Sequence, residues 1–328
     1  DRSPSRGLGD VYKRQGPYDA YDGTTLVVNF PAHPHYNAVM KILPEFTKET
    51  GIEVEVDQLP YLKMRERQTL ELGQDEGDYD LIAYVVFSKA DYVYADQLEN
   101  LALYFMNPKL ADPSYDADDL IDGYVYNIGF AGGNKGYLQG KTGSLFGMPY
   151  GSETSVLGYR KDIFEKHGLS VPETYAEMLD IACKIPQLEP GMGGLSSRAA
   201  SGHHAAHAFL LHLAPLGGRI FDDAWNPIVN NEAGVQAANA LKQIVDCGPE
   251  GAASFGFGEA LGSFLNGDTA MFLDTTVVAG QIDDASKSKV VGKVGWAMHP
   301  EGVRRSSQTC GFGIGIPKNA ENKEAAFL

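Results

Sequence analysis

Cysteine is scarce in this 328-residue chain, with only Cys183, Cys247 and Cys310. Three scattered thiols exclude a disulfide framework and point to buried thiols. A Cys183–Cys247 bridge is the alternative, because both fall near the ends of expected helices. Long apolar runs are missing as well. No stretch approaches the ~18 residues that a membrane helix needs, so no span is expected. Positive charge is short: 27 Lys and Arg against 43 Asp and Glu leave a net charge of −16. That balance excludes the basic face a nucleic acid demands and disfavours docking on an anionic membrane.

Signatures of catalysis are equally thin. The Gly-rich FAGGNKG (Phe130 to Gly136) lacks the spacing of a phosphate loop, and no GxSxG elbow occurs. SGHHAAHAF holds His203, His204 and His207, but no Glu stands where a zinc protease needs one. Acidic residues are plentiful, yet nothing singles out the paired carboxylates of a glycosidase.

What is present is a chain with 43% apolar residues and length enough for one large domain or two ordinary lobes. DRSPSRGLGDVYKRQ (Asp1 to Gln15) has no apolar period, no h-region and no initiator Met. It reads as adapter-like sequence, and residues 1–23 are expected to be extraneous or disordered. From Thr25 a β-α-β-α-β pattern begins. TLVVNF is a strand; Tyr36, Val39, Leu43 and Phe46 repeat at helical spacing, with Pro44 implying a kink or break and Gly51 a C-cap. IEVEV is a strand, Leu62 to Leu72 a helix, and YDLIAY a third strand. Such units build parallel sheets, whose ligands bind beyond the carboxyl ends of the strands. That places the loops at 31–36 and 84–92 at a site.

Further on, Thr174 and Glu177 form a capping box ahead of Met178, Ile181, Ala182 and Ile185. Phe209, Leu210 and Leu213 mark a second helix, and Asn231 caps a third with Val235, Ala238, Leu241 and Val245 inward. Leu261, Phe264 and Leu265 mark a fourth, ended by Gly267. AMFLD, VGWAMHP and GFGIGIP are strands, and NKEAAFL opens a helix.

Four pieces in order, SVLGYRKDIFEKHGLSVPETYAEML, GGRIFDDAWNPIVNNEAGVQA, FLNGDTAM and GFGIGIPKNAENKEAA, resemble the extracellular family 1 solute-binding proteins of ABC importers. The resemblance implies an α/β, two-lobe periplasmic-binding-protein fold (type II-like), with mostly parallel sheets joined by crossover strands. LFGMPYGSETSVLGYRKD resembles the first crossover and VGWAMHP the return. Lobe 1 would then be 24–150 plus 299–328, and lobe 2 would be 151–298, with the C-terminal part of the fold absent. The family implies a non-enzymatic carrier that holds a sugar or polyol between its lobes and delivers it to ABC permease subunits. A bacterial, periplasmic or cell-surface location, a monomer and no cofactor are expected. The alternatives are a metal- or anion-binding carrier of the same shape and a carbohydrate-active hydrolase.

Sugar recognition needs aromatic faces for the apolar side of a ring and polar groups for its hydroxyls. Tyr36, Tyr84, Phe87, Tyr92, Tyr150 and Phe312 lie at expected strand ends or crossovers. Ser152, Glu153 and Thr154 follow the crossover, Asp274 ends the AMFLD strand, and Gly311 precedes Phe312. His33, His35 and His203 are candidate hydrogen-bond donors. Where the family often carries an aromatic after the AM strand, this chain has Asp274, Thr275 and Thr276.

Overall fold

A computed structural model describes residues 17–132 and 143–328. Its strands in chain order are β1 (Thr25–Pro31), β2 (Glu53–Leu59), β3 (Leu81–Val85), β4 (Phe130–Ala131), β5 (Ser144–Leu145), β6 (Met148–Arg160), β7 (Gly193–Ser196), β8 (Thr269–Thr275), β9 (Val294–Met298) and β10 (Thr309–Gly315). The chain divides into two compact units. One holds the described residues up to Ser152 together with Gly311–Leu328, and the other is Glu153–Cys310. The chain passes from one to the other inside β6 and returns inside β10.

In the first unit β1 pairs in parallel with β2 and β3, and β10 runs antiparallel to β3. Alternate residues of β1, Leu26, Val28 and Phe30, enter one core with Tyr36, Ile52, Ala83 and Phe312. This is the period-two burial that the apolar run requires. The helix expected across Tyr36–Phe46 is two, Pro34–Val39 and Leu43–Thr50. Pro44 sits in the first turn of the second, where its missing N–H costs no hydrogen bond. Gly51 ends that helix at φ +74, its N–H bonding Thr47 O. A Cβ there would meet the Asp22 carboxylate at 1.9 Å.

Residues 1–16, with most of the expected extraneous segment, lie outside the described residues, as does most of FAGGNKG. Residues 17–23, however, belong to the fold. Pro17–Tyr21 is a 3₁₀ turn, Tyr18 and Tyr21 pack against the core around Phe30, and Tyr21 Oη donates to Glu324 at 2.6 Å. Two rings that show no helical or strand period on their own pack against a core that also collects Val54 and Ala326.

In the second unit β8 lies between β6, antiparallel, and β7, parallel, while β9 joins the other edge of β6. Every residue of β8 is buried, as a central strand flanked on both sides must be. The capping box forms: Thr174 Oγ1 accepts the Glu177 N–H at 3.3 Å, and Glu177 accepts the Thr174 N–H at 3.0 Å. It starts the Tyr175–Leu188 helix, whose Met178, Ile181, Ala182 and Ile185 are buried. Asn231 caps Glu232–Asp246 through the Gly234 N–H. The buried face of that helix is Gly234, Ala237, Ala240 and Ile244, not the one read from the larger side chains. Val235 is 53% exposed. Small residues face inward, and at its start the helix is tight against its own lead-in turn, where a Cβ on Gly234 would stand 1.7 Å from Val229 O.

Two further corrections concern covalent and chain organisation. Cys183 and Cys247 are bridged, with Cα atoms 4.9 Å apart, rather than standing as buried thiols. Packing of the two helices, which spacing in the chain cannot show, brings them together. Residues 299–310 lie in the second unit instead of the first. Glu301 N–H bonds Glu173 O, and Arg304 Nε donates to Ala214 O. The return therefore falls at Cys310–Gly311 in β10, and VGWAMHP is an edge strand of the second sheet.

Candidate functional site

The second unit gathers its polar groups at one edge of the sheet. Strands β7 and β8 are parallel, with Ser196 opposite Phe272. Extending that register by two residues places Arg198, just past the carboxyl end of β7, beside Asp274, the penultimate residue of β8. Strand β6 runs antiparallel to β8, with Ser155 opposite Thr275, so Glu153 and Thr154 arrive at the same edge. Carboxyl ends of parallel strands are where α/β sheets bind ligands, because loops and unfilled backbone groups meet there.

Arg198 Nε and Nη2 each donate to one oxygen of Asp274 at 2.7 Å, a bidentate pair. Asp274 is only 1% exposed and also accepts the Thr275 N–H at 2.8 Å. Burial pushes the Asp274 carboxyl up, but the Arg198 charge and its hydrogen bonds outweigh this and hold it below the usual range. The Phe257 ring lies 4.7 Å from the guanidinium carbon, covering the cation. Glu153, buried, accepts the Thr275 hydroxyl. The Thr154 N–H reaches Thr276 Oγ1 at 3.4 Å. Three histidines line the helix that follows β7: the His203 ring stands 5.4 Å from His204 and 6.4 Å from His207. Burial first, then the Arg198 charge, pushes the His207 imidazole down to about 4, so it is neutral at pH 7.

Behind this edge runs a buried chain of hydrogen bonds. Gln308 N–H donates to Ser155 Oγ at 2.8 Å, and Ser155 Oγ lies 2.9 Å from His299 Nδ1. His299 Nε2 is 2.8 Å from Tyr175 Oη, which is 3.1 Å from His212 Nδ1. The chain ties β6, which carries Glu153, to the segment after β9 and to two helices.

The first unit presents rings instead. After β1, His33 takes the cap position before the Pro34–Val39 helix, and His35 and Tyr36 lie in its first turn, where a loop was expected. His33 lies 5.0 Å from Phe312 and 5.2 Å from His35. Tyr36 is fully buried, edge-on to Tyr150 at 5.2 Å and to Phe312 at 5.3 Å. Tyr150 Oη donates to the His35 carbonyl at 3.1 Å. Gly311, at φ +137, leaves room that a Cβ would lose against Gly151 O at 2.8 Å.

Among the sequence candidates, then, Glu153, Thr154 and Asp274 come together in the second unit, and His203 opens the helix beside them. His33, His35, Tyr36 and Phe312 come together in the first, with Gly311 as a backbone position that lets the strand approach. Ser152, half-buried, is the last residue of the first unit before the chain crosses. Phe87, 45% exposed, follows β3. Tyr84 stands apart: it is fully buried, its hydroxyl donates to Ile128 O at 2.9 Å, and it fills the core between β3 and β10. Tyr92 is likewise buried, bonded to Gln68. Sequence reasoning missed Arg198 and Phe257; it named His207 and Thr275 without placing them at a ligand site. The one signal for Arg198 was a lone cation just after a short apolar strand, which is weak until the register with Asp274 is known.

These features identify a class. The chain matches the model of the bacterial extracellular solute-binding protein family over residues 32–328, and it belongs to that family. It has the two-lobe α/β fold of the periplasmic solute-binding proteins. It is 28% identical to the mannitol-binding protein of Pseudomonas aeruginosa over 80% of this chain and 58% of that one. The erythritol/L-threitol-binding protein of Mycolicibacterium smegmatis is 21% identical over 93% of this chain and 65% of its own. The chain thus spans about three fifths of the length of these curated relatives. Two solved ABC-transporter solute-binding proteins are 27% identical. One, from Agrobacterium radiobacter in complex with ribitol, has a TM-score of 0.82 over 94% of this chain and 75% of that one. The other, from Agrobacterium vitis with bound D-mannitol, has a TM-score of 0.77 over 93% and 71%.

Proposed function

We propose that this chain is the solute-capturing part of an ABC importer and that its solute is a polyol or a small sugar. The observation that carries the reading is the pairing of two facts. Relatives at 27% identity across more than nine-tenths of the chain hold ribitol and D-mannitol. The second unit's edge offers carboxylate acceptors, hydroxyls and guanidinium N–H groups, the set that a row of hydroxyls needs. In the first unit, His33 and Phe312 supply the apolar and ring-nitrogen face. The chain carries its solute unchanged, in a bacterial periplasm or at the cell surface, acts as a monomer, and hands the solute to permease subunits. Capture needs a state with higher affinity for the ligand, and ligand binding favours that state in proportion to the difference.

The test is isothermal titration of the chain with mannitol, ribitol, erythritol, maltose and an amino-acid panel. Saturable 1:1 heat with at least one polyol, lost in Glu153→Ala, is the expected result. Binding confined to amino acids, or a polyol affinity indifferent to Glu153→Ala, would overturn the reading.

A further inference from the structure

We propose that this chain selects uncharged polyhydroxylated solutes and refuses their phosphate esters and carboxylates, because Asp274 occupies the Arg198 fork that an anion would otherwise take. The inference rests on the reading of this edge as part of the ligand site.

A guanidinium fork is the usual protein device for gripping a carboxylate or phosphate, through two parallel N–H bonds. Here both oxygens of Asp274 hold Nε and Nη2 at 2.7 Å. Asp274 has no exit, being almost wholly buried and tied to the Thr275 N–H. To take that fork an incoming anion would have to displace Asp274 and leave a buried carboxylate without its cation, which is costly. At the remaining N–H groups it would meet a charge already compensated. Glu153 adds a second carboxylate, held through Thr275 and felt by Arg198. One formal positive charge, Arg198, thus faces two formal negative charges, Asp274 and Glu153. His207, beside them, is neutral at pH 7 and adds no compensating charge. The Phe257 ring covers one face of the guanidinium.

What the pair does keep is hydrogen-bonding capacity. A guanidinium has five N–H groups, and Asp274 takes two. A hydroxyl both donates and accepts, so it can meet a guanidinium N–H and a carboxylate alike. A phosphate or carboxylate presents acceptors to Glu153 and is repelled. The edge is therefore a neutralised arginine that still donates hydrogen bonds.

The experiment is calorimetric titration of the wild-type chain at fixed ionic strength with D-mannitol, ribitol, mannitol 1-phosphate, ribitol 5-phosphate and inorganic phosphate. The esters are expected to bind roughly 100-fold more weakly than their parents, the size of effect that an unpaired buried charge produces. Inorganic phosphate is expected to give no saturable heat. Asp274→Asn keeps the shape and removes the charge. It should acquire saturable phosphate binding, while Glu153→Gln, which leaves the fork occupied, should gain less. An ester that binds within about 10-fold of its parent, or saturable phosphate binding by wild type, overturns the proposal. So does a folded Asp274→Asn with no gain. If Asp274→Asn does not fold, the wild-type arms decide. If no polyol binds while wild type refuses phosphate and Asp274→Asn accepts it, the selectivity stands and the polyol reading falls.

Discussion

In the first unit the grouped candidate side chains are rings; in the second they are charges and hydroxyls. His33, Tyr36, Tyr150 and Phe312 contact one another ring to ring, and the bond between Tyr150 and His35 ends on a backbone carbonyl. Arg198, Asp274, Thr275 and Glu153 instead hold each other by side-chain hydrogen bonds within a buried strand edge. The difference follows from what each sheet edge receives. Strand β1 leads into a short aromatic-rich helix, Pro34–Val39, on an apolar core. Strands β7 and β8 end together on an arginine and an aspartate, which must pair because neither can be buried alone. Apolar packing tolerates small losses, whereas a buried ionic edge is disrupted by one missing member.

The largest effect should come from breaking that edge. Asp274→Ala leaves Arg198 buried without its counter-charge and should cost about 3–5 kcal/mol in chemical denaturation, while Arg198→Met with Asp274→Leu should recover much of the loss. A deficit no greater than that of a surface substitution would mean that the pair is not a structural unit.

The disulfide sharpens the same comparison, because Cys183 and Cys247 both lie in the second unit. Closing a loop of 64 residues restricts the unfolded chain by about 4 kcal/mol on the chain-entropy model. Cys183→Ser with Cys247→Ser should lower the unfolding midpoint, and hydrogen exchange should place the loss in residues 153–310. Uniform loss across both units would contradict the division.

Acid should act selectively too. Burial, aided by neighbouring positive charge, pushes His212 down to about 3 and His299 to about 4. Both are fully buried. Their folded pKa values lie below the unfolded value near 6.5, so their contribution is fully present above pH 6.5 and is lost progressively as pH falls towards 3–4. At pH 5 each should cost about 2 kcal/mol relative to pH 7. His212→Gln should flatten the pH dependence of unfolding, and a slope unchanged by that substitution would rule out its source. The smallest effect is expected in the ring cluster. Phe312→Leu should cost about 1 kcal/mol, the worth of edge contacts beyond burial, and Tyr150→Phe a similar amount for one hydrogen bond. A loss of 3 kcal/mol or more in either would erase the contrast between the units.

Local order was open to reading from the residues. The break before Pro44, the Gly51 and Gly267 caps, the Thr174–Glu177 box and the strands at Thr25, Leu81 and Thr269 depend on neighbours within a few positions, where side-chain shape and hydrogen-bond rules act directly. The inward face of the Glu232–Asp246 helix was not open in that way. Small and large apolar residues share its period, and only the nearness of another backbone decides which turns inward.

The sequence by itself determined most of the strand and helix segments, though not β7, together with the α/β class and the acidic, spanless character of the chain. It also determined that Asp274 falls at the end of a strand, whereas Glu153, expected after a strand, lies inside the long β6. Tertiary structure alone decided that Arg198 answers Asp274 across a gap of 76 residues, that Cys183 meets Cys247, that residues 17–23 join the core around Phe30, and that Tyr84 is sealed in a second core of the same unit. The reason is physical. Periodicity and capping are short-range properties, whereas strand register, helix approach and burial of charge are settled by packing between segments far apart in the chain.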